Sequence, residues 1–114
     1  MNTRVVGRWG EDVAAKYLSN HKYKIVDRNF TCHYGEIDLI VWDGESVIFV
    51  EVKSRKDDGF GLPREAVNWH KQQKIVKCAN YWLYKNRQTG VPVRFDVVEI
   101  LGDKVTHIID AFRP

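Results

Sequence analysis

Four charged side chains fall within two adjacent apolar segments of this sequence. They are Glu36, Asp38, Glu51 and Lys53. Alternate residues of a strand point to the same side. A hairpin that turns at Asp43-Gly44 therefore places all four on one face if its loop has two or four residues, and the four-residue loop sets Asp38 directly opposite Glu51. A three-residue loop would separate them unless a β-bulge restored the alternation. Facing carboxylates repel each other, and a partly buried charge is unfavourable unless it is paired or bound to a metal. The pattern predicts a cation at this face, either Lys53 or a divalent metal ion.

The donor types narrow the choice of metal. Carboxylate oxygens with no supporting histidine or thiolate suit Mg²⁺ or Mn²⁺ better than zinc. A structural salt bridge at a strand end is the alternative interpretation of the same residues. We favour a metal site because two predicted helices direct further polar groups toward this face. In the first helix, over residues 4–19, Glu11 lies at the edge of the apolar stripe, where its carboxylate can reach inward.

The second helix is predicted over residues 63–86 and begins at Pro63, a residue type that favours the first helical turn. Its apolar stripe has Gln72 near the middle, so an amide is expected to face the sheet. Lys71 lies at one border of that stripe, and Lys74 lies on the opposite, basic side. A basic helix face is usually just solvated, although it can also contact phosphate.

The remaining apolar segments have the spacing of strands. They are predicted at residues 23–30, 35–42, 45–53, 91–101 and 104–109, which gives the element order αβββαββ. Because the two hairpin strands are apolar on both faces, helices must cover both sides of a mixed sheet. We therefore predict an α/β fold, a three-layer α/β/α sandwich with a mixed central sheet, in one domain over residues 1–114.

The composition excludes several classes of protein. With 114 residues, 44% of them hydrophobic, the chain can bury a core and is neither disordered nor fibrous. The formal net charge of +3 permits a nucleic-acid partner without requiring one. Cys32 and Cys78 have neither metal-binding spacing nor the number that a disulfide framework needs, which favours a reducing, cytoplasmic location. No apolar run is long enough for a secretion signal or a membrane span, so we expect no membrane association.

The charged residues and their neighbours resemble a known pattern. Asp38, followed on the next strand by Glu51-Val52-Lys53, is similar to the motif of the PD-(D/E)xK nuclease superfamily, although Ile37 replaces the superfamily's proline. The chain more closely resembles the YraN-like family of small, functionally uncharacterised bacterial proteins, which are similar to archaeal Holliday-junction resolvases. The resemblance runs from about Val5 to about Ile109. Five blocks carry it: Gly10-Glu11 with Ala14-Ala15, Gly35-Glu36-Ile37-Asp38-Leu39, Phe49-Val50-Glu51-Val52-Lys53, Lys71-Gln72 and Arg94-Phe95-Asp96-Val97-Val98.

This resemblance implies a restriction-endonuclease-like fold and hydrolysis of DNA phosphodiester bonds with Mg²⁺ or Mn²⁺. Asp38, Glu51 and Glu11 would be the metal ligands, and Lys53 and Gln72 would complete the catalytic residues. Lys53 would orient the attacking water or stabilise charge on the phosphate. Gln72 would position water or substrate.

Other residues are expected at the border of this site. Glu36 would lie outside the direct metal ligands, and Lys71, Lys74 and Arg55 would contact DNA. By analogy with the resolvases, the substrate would be branched or otherwise structured DNA. Because a net charge of +3 is small for tight duplex binding, a homodimer or a protein partner is expected to widen the positive surface. The alternative hypothesis is a nucleic-acid-binding or partner-binding module with the same fold, in which catalysis is absent or conditional.

Overall fold

The computed structural model describes residues 3–55 and 67–114, with side chains from residue 8 onward. The elements are α1 (Thr3–Asn20), β1 (Lys24–Cys32), β2 (Gly35–Trp42), β3 (Val47–Arg55), α2 (Trp69–Lys85), β4 (Val93–Leu101) and β5 (Lys104–Phe112). The predicted α/β class and the order αβββαββ are confirmed. Neither helix is both long enough and apolar enough to cross a membrane, as far as the described residues show.

The five strands form one mixed sheet in the order β1-β2-β3-β4-β5. β3 and β4 are parallel, whereas the other neighbouring pairs are antiparallel. Parallel strands need a long crossover connection, and α2 lies in the connection between β3 and β4. This topology places β3, which carries Glu51 and Lys53, in the centre of the sheet.

One helix covers each face of the sheet. On one face, Leu18 of α1 packs with Leu39 and Val50. On the other face, Ile75 of α2 packs with Phe49. Full burial of a side chain such as Phe49 contributes roughly 1.5–3 kcal/mol to stability. The three-layer arrangement agrees with the prediction, and it means that the central strands can receive side chains from both helices.

The second helix begins later than the sequence predicted. Pro63 lies outside the described residues, but Asn68 has an extended backbone, with φ −75° and ψ 171°. Its side-chain oxygen accepts a hydrogen bond from the backbone N–H of Lys71 at 2.9 Å. This bond satisfies a donor that the first helical turn leaves free, so Asn68 caps the helix. A continuous helix over residues 63–86 is therefore wrong, and α2 begins at Trp69.

The hairpin between β2 and β3 has the four-residue loop. The register pairs Trp42 with Val47 and continues to Leu39 with Val50. Asp43 Oδ1 accepts hydrogen bonds from the backbone N–H groups of the third and fourth loop residues, at 2.9 and 2.7 Å. These bonds stabilise the turn and fix the register. The last pair of this register, Leu39 with Val50, lies one residue short of Asp38 and Glu51.

The regular alternation of side chains breaks in β2 at Asp38. Strict alternation would put Ile37 on the same face as Leu39. Instead Ile37 packs on the α2 side, whereas Leu39 packs on the α1 side. The break lies beside Asn29 of β1, which has a positive φ of 52°. Asp38 therefore occupies an irregular position between the two faces.

Candidate functional site

A group of acidic and basic side chains surrounds the place where the β2–β3 pairing ends. Asp38 Oδ2 accepts a hydrogen bond from the backbone N–H of Val52 at 2.8 Å, so the Asp38 carboxylate reaches across to β3. Glu51 lies next to Val52 and is only 7% exposed. The two carboxylates predicted to face each other are thus brought together at one edge of the buried core.

The pKa of Asp38 shows how strongly these negative charges interact. Burial is the largest cause, and the charge of Glu51 is the next, in raising the pKa of Asp38 from 3.8 to about 7. The charges of Glu11 and Glu36 act in the same direction, and the hydrogen bond from Val52 opposes them. A carboxyl group in this state would bind a cation in place of its proton.

Helix α1 supplies the third carboxylate, Glu11. The preceding residue, Gly10, lets the helix approach β3 closely, because a Cβ atom at Gly10 would lie 1.8 Å from Ser54 Oγ. Glu11 Oε1 is buried and has no hydrogen-bond partner among the described residues. Burial raises the pKa of Glu11, against the hydrogen bond of Asn29 and the charge of Arg28. Buried carboxylate oxygens normally have a partner, so this oxygen is available to a ligand.

Two lysines provide positive charge next to Glu51. Lys71 Nζ lies 2.5 Å from Glu51 Oε1, and Lys53 Nζ lies 4.0 Å from the same oxygen. Burial lowers the pKa of Lys53, as do the hydrogen bond and charge of Lys71. Burial would also lower the pKa of Lys71, but the hydrogen bond and charge of Glu51 outweigh it and raise that pKa. The two ammonium groups therefore differ: Lys71 is held in its charged form, and Lys53 is the weaker base.

The other predicted site residues take different positions. Gln72 Nε2 donates a hydrogen bond to the Val67 carbonyl oxygen at 2.9 Å, so this group is directed at the backbone before α2. Glu36 is exposed at the start of β2, close enough for its charge to raise the pKa of Asp38. Arg55 Nε lies 3.8 Å from Glu99 Oε2. Lys74 is exposed on α2.

Sequence reasoning missed two features of the site. Lys71 was predicted only as a DNA contact, yet it forms the closest ion pair to Glu51 among the described residues. Asn29 was not predicted at all, although its side chain favours the charged form of Glu11 and so opposes the rise in that pKa. The available signal was its residue type, since asparagine is uncommon in strands and tolerates positive φ.

The donor chemistry of this group fits Mg²⁺ or Mn²⁺. Three carboxylates contribute only oxygen ligands, and Glu11 Oε1 lacks a partner in the described part of the chain. The side chains are not gathered around one point, however: within residues 3–55 and 67–114, no three His, Cys, Asp or Glu side chains are arranged to hold a metal ion. A bound metal would require the carboxylates to move together.

These features define a small α/β protein with an acidic, lysine-bearing site between two central strands of a mixed sheet. The family profile described as "Uncharacterised protein family UPF0102" matches residues 10–100. The chain belongs to this family. The YraN-like resemblance predicted from the sequence is thereby confirmed, and the relationship to the nuclease superfamily stays a prediction.

Individual relatives cover nearly the whole chain. A UPF0102 protein of Caldanaerobacter subterraneus subsp. tengcongensis is 45% identical over 119 residues, covering 98% of each chain. One of Geobacter sulfurreducens is 41% identical over 117 residues, covering 98% of this chain and 91% of its own. One of Caldicellulosiruptor bescii is 46% identical over 119 residues, covering 98% of this chain and 100% of its own.

Proposed function

We propose that this protein is a nuclease that hydrolyses DNA phosphodiester bonds with Mg²⁺ or Mn²⁺ and acts on branched or otherwise structured DNA. The observation that carries the proposal is that the charges of Glu51 and Glu11, from two other elements, raise the pKa of Asp38, while the buried Glu11 Oε1 has no partner in the described residues. Such crowding of like charges is unfavourable for folding alone, and it is typical of functional sites. The preference for branched DNA rests on the resemblance to resolvases.

The acidic, basic and amide side chains would have different roles in this reaction. Asp38, Glu51 and Glu11 would hold the metal ion, which neutralises charge on a bound phosphate and makes water more acidic. Lys53 would donate a hydrogen bond to the attacking water or to the phosphate, and its lowered pKa makes its ammonium group the stronger proton donor. Gln72 would hold the start of α2 through its hydrogen bond to Val67, and would thereby position Lys71.

The net charge and the two cysteines bear on the partners and the cellular location of the protein. With a formal net charge of +3, the protein would gain affinity for duplex DNA by forming a homodimer or by binding a protein partner. Both cysteines, Cys32 and Cys78, are free thiols. Free thiols fit the reducing cytoplasm, where we place the activity.

The decisive test is cleavage of labelled linear, flapped and four-way DNA by purified protein with Mg²⁺ or Mn²⁺. We expect Asp38→Asn and Lys53→Ala each to lower the cleavage rate by about 100-fold or more, as for loss of a group that stabilises transition-state charge. Asp103→Asn is the matched control, since Asp103 is exposed in the β4–β5 turn, and it should cleave like the wild type. Equal cleavage by all variants would assign the activity to another site or to a contaminant.

A binding module without catalysis is the second candidate. It is favoured by the ion pair of Lys71 with Glu51 at 2.5 Å, because an ammonium group already neutralises that carboxylate. Calorimetric titration with Mn²⁺ separates the two functions. Metal binding that Asp38→Asn abolishes, with no cleavage of any DNA by the wild type, would favour the binding module over the nuclease.

A further inference from the structure

A second surface lies on α2 beside the turn between β1 and β2. It is a groove of about 420 Å³ lined by Tyr34, Lys77, Asn80, Tyr81 and Tyr84, which we call the tyrosine groove. Tyr34 and Tyr81 are each 45% exposed, and Tyr84 is 77% exposed. Single exposed aromatic residues need no explanation, but three around one groove indicate a binding surface. None of the five residues belongs to the carboxylate site.

Neighbouring side chains hold two of these rings in place. Tyr81 stacks on Phe30 of β1, with 6.1 Å between ring centroids and 26° between ring planes. Lys77 Nζ lies 5.8 Å from the centroid of the Tyr34 ring, a cation–π contact. The rings are therefore positioned before any ligand binds, and this reduces the entropy lost on binding.

The helix that lines the groove is positively charged. Helix α2 contains four lysines and no aspartate or glutamate in Trp69–Lys85. Lys71, Lys74 and Lys77 follow one another at three-residue steps, so they share one side of the helix. The first of these lysines, Lys71, contacts Glu51. From Lys71 to Tyr84 the helix advances 13 residues, which is roughly 20 Å. A row of positive charge thus connects the carboxylate site with the tyrosine groove.

We propose that the tyrosine groove binds a single-stranded segment of DNA. Its bases would stack on Tyr81 and Tyr84, while Lys74 and Lys77 would contact its phosphates. Paired bases stack on each other inside a duplex and are not available to these rings, so the groove selects unpaired segments such as a flap or a gap. A second copy of the chain is the less suitable occupant, because symmetric contact of two such grooves would bring lysines against lysines.

This inference rests on the proposed function in one respect, since the bound strand would lead along the lysines toward Asp38 and Glu51. Binding in the groove itself needs no metal ion and no catalysis. It can therefore be measured with metal removed by EDTA and in Asp38→Asn protein, which separates it from cleavage.

The experiment is fluorescence anisotropy with a labelled single-stranded oligonucleotide of about 15 nucleotides, a length within known single-strand site sizes. Replacing Tyr81 and Tyr84 by alanine should weaken binding about tenfold or more, whereas replacing both by phenylalanine keeps the rings and should preserve the affinity. Lys77→Ala should reduce the slope of log affinity against log salt concentration by about the amount that one phosphate contact contributes. Lys104→Ala, on β5, should leave this slope unchanged.

Tyr81 packs on Phe30, so its loss could also affect folding. Tyr84→Ala alone removes a ring that is 77% exposed, and it should weaken binding without lowering the melting temperature. Equal affinities of the alanine and phenylalanine variants would overturn the inference. The inference would also be overturned if the alanine variants lost as much affinity for blunt duplex as for single strands. A change of their oligomeric state in light scattering, with single-strand affinity intact, would overturn it as well.

The two proposals fail in distinguishable ways. If the alanine variants lose single-strand affinity but the wild type cleaves no DNA, the groove stands and the nuclease is refuted. If Asp38→Asn abolishes cleavage while the tyrosine variants bind single strands and cleave flapped DNA like the wild type, the nuclease stands and the groove is refuted.

Discussion

The buried Asp96 and the half-buried Asp38 differ in how the protein satisfies them. Asp96 of β4 accepts two hydrogen bonds from Arg94 and one from the backbone N–H of Asp110, and its Oδ2 lies 2.8 Å from His107 Nε2. Burial alone would raise the pKa of Asp96, but its partners, His107 first, lower it. Asp38 has the Val52 N–H and is surrounded by other carboxylates, and its pKa is raised. The partners of Asp96 therefore stabilise its charged form, whereas the charged form of Asp38 lowers stability.

Asp38→Asn tests how the charge of Asp38 affects stability. A raised folded-state pKa means that the folded protein binds the proton more tightly than the unfolded chain, so the contribution of Asp38 to stability is lost as the pH rises from about 4 to about 7. Asparagine stays neutral and can still accept the Val52 hydrogen bond. We expect Asp38→Asn to stabilise the fold by about 1–3 kcal/mol at pH 8 and by much less at pH 5. Chemical denaturation at both pH values measures this.

The matched control for that measurement is Asp96→Asn. A lowered pKa gives stability that is present above the ordinary value of 3.8 and is lost as the pH falls through the folded value. Asp96→Asn should therefore destabilise the fold, by about 3 kcal/mol or more, because it leaves Arg94 without its carboxylate. If both variants shifted stability in the same direction at pH 8, the contrast between the two sites would be wrong.

At the scale of elements, the close approach of α1 to β3 carries Glu11 into the site. The contact depends on Gly10, since a Cβ atom there would be 1.8 Å from Ser54 Oγ and 3.1 Å from Ser54 Cβ. Both atoms belong to one side chain, so the approach can be tested with two substitutions. Helix α2 acts similarly on the other face, where the Asn68 cap and the Gln72 bond to Val67 set the position of Lys71.

The element-scale prediction is a double-mutant cycle between Gly10 and Ser54. Gly10→Ala alone should raise the free energy of unfolding by about 1 kcal/mol through helix propensity. Overpacking against Ser54 should lower it by about 1–3 kcal/mol. In a Ser54→Gly background the obstructing atoms are gone, so only the gain should remain. We expect Gly10→Ala to be more favourable in that background by about 1–3 kcal/mol in thermal denaturation. Strict additivity of the two changes would show that α1 does not approach β3 this closely.

The whole molecule is needed to assemble the site, because Glu11, Asp38, Glu51 and Lys71 come from both helices and two strands. A ligand that binds only this assembled state stabilises the fold by mass action. Metal binding and folding should therefore be coupled, and the coupling should depend on whether the carboxylates are protonated.

The whole-molecule prediction is the response of the melting temperature to Mn²⁺. At pH 8, Mn²⁺ at about 100 times its dissociation constant should stabilise the folded state by about 2.7 kcal/mol, which is roughly 10 °C or more for a domain of this size. At pH 5.5 the shift should be smaller, because a proton competes for Asp38, whose pKa is about 7. Differential scanning fluorimetry measures both.

Asp38→Asn is the control for this titration and should remove most of the shift at pH 8. Asp103→Asn should keep it, since Asp103 is exposed in the β4–β5 turn, far along the chain from the carboxylates. An equal Mn²⁺ shift at both pH values would contradict the coupling to Asp38, as would an equal shift in wild type and Asp38→Asn.

The α/β class, the element order and the association of Asp38 with Glu51 can all be predicted from the amino-acid sequence. These follow from local rules: apolar residues repeat with the period of a helix or a strand, and the residues of a hairpin lie close in sequence. The start of α2 was misplaced because the Asn68 cap, rather than Pro63, sets the first described helical turn.

The cations that meet the carboxylates, and the irregularity at Asp38, depend on how distant parts of the chain pack together. Lys71 reaches Glu51 from 20 positions away in the sequence, and Asn29 of β1 has a positive φ beside Asp38. The tyrosine groove likewise combines Tyr34 with residues of α2. Such contacts depend on how α1 and α2 pack on opposite faces of the sheet, and packing joins residues that no local period relates.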